Sequence, residues 1–169
     1  MTPYMYTTSV PVFKQLLNSL SAILTKAEAL STEKKFEPTV LLDARLFPDM
    51  FPLIRQVQIA TDFARSVSAR LAGVEVPAYD GNEQSFTELQ ERIGKALSFI
   101  ESLTPDQFEG SETREIVLRP GTPKEKKMVG HTYLSNYGLP QFFFHVTTAY
   151  AILRHNGLEV GKGDFMGAY

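Results

Sequence analysis

The segment Leu139–Arg154, reading LPQFFFHVTTAYAILR, constrains this chain more than any other feature. It is apolar nearly all the way round a helical wheel, yet it carries Gln141, His145, Thr147 and Thr148. A helix of that kind has to be enclosed, either by other helices or by lipid. Length excludes lipid, because the apolar run Leu139–Leu153 spans about 15 residues and a hydrocarbon layer is about 30 Å thick. No membrane partner is expected, and the segment reads as the most buried helix of a bundle.

Its companions are legible from apolar residues recurring at intervals of three and four. In the first helix, Ser9 is a plausible N-cap with Pro11 in the opening turn, and Phe13, Leu16, Leu17, Leu20, Ile23, Leu24 and Ala27 share one face. Lys34, Lys35 and Pro38 mark the connection, and Thr39–Met50 reads as an ordered loop. Asp49 is placed to cap a second helix with Pro52 in its first turn, running to about Ala72 before Gly73 stops it. Val57, Ala60, Ala64, Val67 and Leu71 form its buried stripe. Ser85 and Glu88 match the S-x-x-E capping box of a third helix, with Phe86, Leu89, Ile93, Ala96, Leu97 and Ile100 on its core face and Thr104–Pro105 at its end. Between Thr113 and Tyr133 the period changes. The β-prone runs Ile116–Leu118 and Met128–Tyr133, separated by Pro120, Gly121, Pro123 and lysines, predict a small hairpin. The fourth helix then begins near Gly138–Pro140 and ends at Arg154–Asn156, with Gly157 as its C′ residue. No internal repeat or low-complexity segment interrupts this order.

At 169 residues, the chain is long enough for one domain, read here as residues 1–169, that buries roughly two-thirds of its unfolded surface. The formal net charge is −2 and the basic residues form no stripe that could track phosphates, so nucleic acid is not an expected partner. Without cysteine there is no disulfide framework, no thiolate ligand and no thiol nucleophile. Met1–Val10 has neither a basic n-region nor a continuous apolar h-region, which argues against an export signal and sets a cytoplasmic location as the expectation.

Gln141 and His145 lie four apart on the last helix, with Thr148 one turn further on, so a polar line runs along an otherwise aromatic face. Buried polar groups need partners. The line is either the wall of a pocket, with His145 as ligand, acid or base, or a hydrogen-bonded core histidine with its neighbours. On the second helix, Gln58 and Asp62, beside Thr61 and Arg65, either face the same pocket from across the bundle or form that helix's solvated side. The three histidines cannot form one metal site. The rise of an α-helix puts His145 and His155 on the order of 15 Å apart, against ligand bonds of about 2 Å. His131 could join His145 only if the hairpin folded over the bundle, and a glutamine oxygen from Gln58 or Gln141 is a weak zinc ligand. His155 suits the C-terminal end of a helix. The glycines of Gly161–Gly167 have no strand before them and no helix after them, so they are not a phosphate loop, and Phe165 and Met166 should pack back on the bundle or on a second subunit. There is no G-x-S-x-G, no H-E-x-x-H and no telling pair of carboxylates.

The block FPDMFPLIRQVQIATD at Phe47–Asp62 and the block LPQFFFHVTTAYAILRHNG at Leu139–Gly157, followed by Gly161-Lys162 and Asp164-Phe165, resemble a domain-of-unknown-function family of the DinB/YfiT-like metalloenzyme superfamily. The likeness covers nearly the whole chain. It implies a mainly α, four-helix bundle with one long crossover and, in many relatives, a homodimer. It also implies, in active relatives, a divalent metal held by one histidine of helix two and two histidines of helix four at i, i+4, with some relatives acting as thiol-dependent transferases or isomerases. By position those ligands fall on Gln58, Gln141 and His145, of which one is histidine. Losing two imidazoles removes most of the metal affinity and the open geometry that activates a bound water or thiol. The reading is therefore a DinB-like bundle with a degenerate metal site, no bound metal or other cofactor, and a small-molecule pocket or accessory role carried by Gln58, Asp62, Gln141, His145 and Thr148. Two alternatives stand beside it. One is a thiol-dependent transferase or isomerase using an external small thiol, or a divalent metal such as Zn or Ni, with His145 as catalytic base near neutral pH. The other is a structural homodimer with a filled core.

Overall fold

The computed structural model describes residues 2–169; the opening stretch read for a signal begins one residue outside them, at Met1. In chain order the main elements are helices α1 (Val10–Lys34), α2 (Leu53–Ala72) and α3 (Phe86–Glu101), strands β1 (Glu115–Leu118) and β2 (Lys126–Val129), then helices α4 (Leu139–His155) and α5 (Lys162–Met166). Helix α3 packs against both α1 and α2, α2 lies along α4, and α4 closes back on α1. The ring order α1, α3, α2, α4 makes the path from α3 to α4 a long crossover, and the antiparallel hairpin sits on it, pairing Glu115 with Val129 and Leu118 with Lys126. This is the mainly helical bundle with a small hairpin that the apolar periodicities predict.

The local reasons are those of the sequence, with corrections at the ends. All seven apolar residues of the α1 stripe are buried. Ser9 holds the N-cap position, but its hydroxyl donates back to the Met5 carbonyl of the preceding turn instead of receiving an N–H of the helix. Asp49 does not cap α2. Pro52 takes that position, because the extended backbone proline favours brings the chain into the helix directly (φ −68°, ψ 165°). Part of the expected loop winds into a helical turn, Thr39–Leu42, which buries Leu41 and Leu42. On α3 the expected cap forms in part: Ser85 Oγ accepts the Glu88 N–H at 3.1 Å, but the Glu88 carboxylate accepts from the Gln84 N–H at 2.7 Å and the Ser85 hydroxyl instead of the Ser85 N–H. Gly73 (φ 71°) and Gly157 (φ 91°) end α2 and α4 in the left-handed conformation glycine adopts without cost.

Strand β2 is shorter than expected. It stops at Val129 because Gly130 turns the chain against the Ser111 carbonyl, an approach no larger residue could make: a Cβ there would stand 1.8 Å from that oxygen. From Gly130 the backbone is helical, and the wide π turns of Tyr133–Gly138 run straight into α4. Tyr133 is thereby buried, its hydroxyl accepting from Arg70 at 3.1 Å.

Helix α4 is not the most buried helix. On α2 13 of 20 residues are buried, on α4 only 7 of 17, because neighbours cover one side of α4 and leave Phe143 and Phe144 exposed. The tail folds back on the bundle: Gln15 donates to the Met166 carbonyl at 2.8 Å, Lys26 pairs with Asp164 at 2.6 Å, and Phe165 meets Tyr150 edge-on. No described helix is long and apolar enough to cross a membrane.

Candidate functional site

His145 is built into a hydrogen-bonded relay that starts on the loop before α2. Pro52 starts the helix, which puts Gln56 one turn in, with its Nε2 donating to the Phe51 carbonyl at 3.0 Å. A carbonyl can only accept, so this bond fixes the amide orientation and turns Oε1 toward His145 Nδ1 at 2.7 Å. Oε1 is also an acceptor only. The proton of the neutral imidazole therefore resides on Nδ1, and Nε2 keeps its lone pair. Among the described residues none hydrogen-bonds Nε2, and that atom is not sealed from solvent. The ring is 7% exposed, stacked on Phe63 (6.0 Å, 12° between planes) and met edge-on by Phe144 at 5.2 Å. Burial, aided by the positive charge of Arg55, pushes the His145 pKa from 6.5 down to about 4, so the imidazole is uncharged at neutral pH.

This ring borders a hollow of about 290 Å³ lined also by Asp49, Met50, Phe51, Gln56, Gln141 and Phe144. Gln141 and Phe144 border a second hollow of about 250 Å³, with Asn136, Tyr137 and Pro140. The i, i+4 spacing of Gln141 and His145 thus brings both to one cleft, as the polar line on α4 suggests.

Gln58 and Asp62 are placed elsewhere. Two positions along an α-helix turn a side chain by about 200°, so Gln56 and Gln58 leave α2 on nearly opposite sides. Gln58 is buried against the α2–α3 connection, where its Nε2 donates to Glu83 at 2.9 Å and to the Gly81 carbonyl at 3.2 Å. Asp62 belongs to the same cluster, centred on Arg92, which is 2% exposed. Arg92 donates to Thr61 Oγ1 (2.7 Å), Glu83 (2.7 Å) and Asp62 (2.6 Å). Arg65 pairs with the same Asp62 oxygen at 2.8 Å and lies over the Tyr79 ring at 4.0 Å. The network lowers the Glu83 pKa although burial opposes it, and burial lowers that of Arg65. Arg65 Nε and Nη1 are the only buried side-chain polar atoms left without a partner among the described residues. Thr148 is buried and its hydroxyl donates to Phe144 O in its own helix, so it offers the cleft no donor. His131 and His155 are exposed and border neither hollow.

The residues present do not fit a three-histidine metal centre. The cleft supplies one imidazole nitrogen, the Asp49 carboxylate and amides, and the Gln56 oxygen is already turned to an N–H. Among the described residues no group of three or more His, Asp or Glu side chains is placed to hold an ion. Gln56, the residue that faces His145, is absent from the sequence reading. It could have been found there, since it precedes Ala60 by four and Phe63 by seven and so extends the row that packs on α4.

Fold and site together define a DinB-like helical bundle with a hydrogen-bonding cleft beside His145. A family model described as a domain of unknown function, DUF1993, matches residues 5–166, and the chain belongs to that family. It is similar to a DinB family member protein from Shewanella denitrificans, whose crystal structure superposes with a TM-score of 0.91 at 42% identity, over 97% of this chain and 92% of that one. No curated protein matches the chain.

Proposed function

We propose that this protein binds a small molecule in the cleft between the Asp49–Phe51 loop and the start of α4, through hydrogen bonds and without a metal. The reading rests on one observation: a buried, uncharged imidazole whose Nδ1–H is committed to Gln56, and whose Nε2 has no partner among the described residues, borders a hollow of about 290 Å³. An acceptor left open beside such a space favours an occupant that donates to it. The same environment counts against His145 as catalytic base for an external thiol. A base effective at neutral pH needs a pKa near 7, and this one lies near 4. The hollow also counts against a purely structural role with a filled core. We extend the proposal to a homodimer, supported by the exposed rings of Phe47 and Phe143 outside the cleft and tested by mass in solution.

The test is a fragment screen followed by protein NMR on tag-free protein. Binding should shift the signals of His145, Gln141 and Phe144 together. A panel that leaves those signals unmoved would sink the reading. So would stoichiometric zinc or nickel lost on His145→Ala.

A further inference from the structure

The kind of ligand follows from what the cleft walls can donate, and this inference rests on the binding reading above. Gln56 gives one of its two amide N–H groups to the Phe51 carbonyl, and the His145 N–H is spent on Gln56. Of the side chains around the hollow, the Gln141 amide and the second N–H of Gln56 are the donors uncommitted among the described residues, and both are uncharged, while Asp49 contributes a negative charge. A carboxylate or phosphate placed at Nε2 would meet a lone pair that cannot replace its hydration, and of the charged groups near the ring Asp49 repels it while Arg55 attracts it. A neutral O–H or N–H group would satisfy that lone pair instead.

The remaining walls are apolar and aromatic. Phe51 is 53% exposed and Phe144 54% exposed, although both stand beside a polar floor. Exposed rings flanking a cleft favour a second aromatic system, offset or edge-on, over an aliphatic chain of equal area. The adjoining hollow beyond Gln141 and Phe144 gives such a molecule room to extend past the first ring. We infer that the cleft takes a neutral, planar aromatic molecule whose O–H or N–H donates to Nε2 of His145 while its ring lies against Phe51 and Phe144.

Three probes of one ring size separate the alternatives at pH 7: 2-naphthol, which donates; 2-methoxynaphthalene, which cannot; and 2-naphthoate, which is anionic. Each is titrated into the full chain by calorimetry, with the His145 signals locating the site. Naphthol should bind on the order of tenfold more tightly than its methyl ether, since the ether leaves Nε2 unpaired, and naphthoate should bind most weakly. His145→Phe, which keeps a ring and removes the acceptor, should erase the preference for naphthol. Gln56→Glu places a carboxylate on Nδ1 and favours the imidazolium, so Nε2 becomes a donor and naphthoate should gain relative to naphthol. Equal affinity for naphthol and the ether, or tighter binding of naphthoate to the unmodified protein, would overturn the inference and leave the binding reading standing. Failure of all three to shift the His145 signals, together with a silent fragment panel, would overturn both. Arene silence beside fragment hits in the cleft would overturn the inference alone.

Discussion

Replacing Arg92 with leucine tests whether the Gln58–Asp62 side of α2 is a clamp and not a wall of the cleft. The guanidinium is 2% exposed and is shared by Thr61, Glu83 and Asp62. Its removal leaves Glu83 without its cation and Asp62 with Arg65 alone. Breaking a buried charge pair on one side costs about 3–5 kcal/mol, and the partial exposure of Asp62 argues for the lower end, about 3 kcal/mol. For a chain of this length each kcal/mol moves the midpoint by about 2–4 °C, so Tm should fall by about 6–12 °C. Urea denaturation followed by circular dichroism measures the loss. Lys14→Ala, which breaks the exposed 2.6 Å pair with Glu101, serves as the control and should leave the transition nearly unmoved. Because Arg92 sits across α2 from Gln56, the affinity for naphthol should not change in the folded variant. A stability loss under about 1 kcal/mol, or a lost ligand affinity in folded protein, would refute this division of the helix into two faces.

Two further outcomes follow from particular contacts. The folded pKa of His145 is depressed from 6.5 to about 4, so its contribution to stability is complete above about pH 6.5 and is lost as pH falls toward 4; by pH 5 the loss reaches about 2 kcal/mol. Denaturant titrations of the wild type and His145→Phe at pH 7.5 and 5 isolate this effect, and parallel losses in the two proteins would contradict it. Gly130→Ala should cost at least about 2 kcal/mol in the same assay, since its Cβ would stand 1.8 Å from the Ser111 carbonyl, and an unchanged midpoint would show that the turn gives way freely.

How much of this was readable in advance depended on the range of the contacts involved. The α1 stripe, the Ser85 cap and the glycine stops at Gly73 and Gly157 are set by residues a few positions apart, and the structure shows each of them. The end of β2 was not readable, because Gly130 is fixed by Ser111 across the chain and nothing near Met128 announces it. The cleft was half readable. Gln141 and His145 share a face by spacing alone, but their partner on α2 depends on which row of that helix meets α4. Counting from the Val57–Leu71 stripe leaves that choice open, and Gln58, the residue matched by resemblance, lies on the far side with the Arg92 cluster. The exposure of Phe143 and Phe144 was hidden for a related reason: an all-apolar helix gives no sign of which side its neighbours leave uncovered.

Recognition in the cleft depends most on the protonation state of one ring, and nitrogen-15 NMR of the His145 imidazole in unligated protein reads it directly. A proton on Nδ1, a bare Nε2 at pH 7 and a titration midpoint near 4 are the predicted result. A proton found on Nε2, or a midpoint at the ordinary histidine value near 6.5, would contradict it.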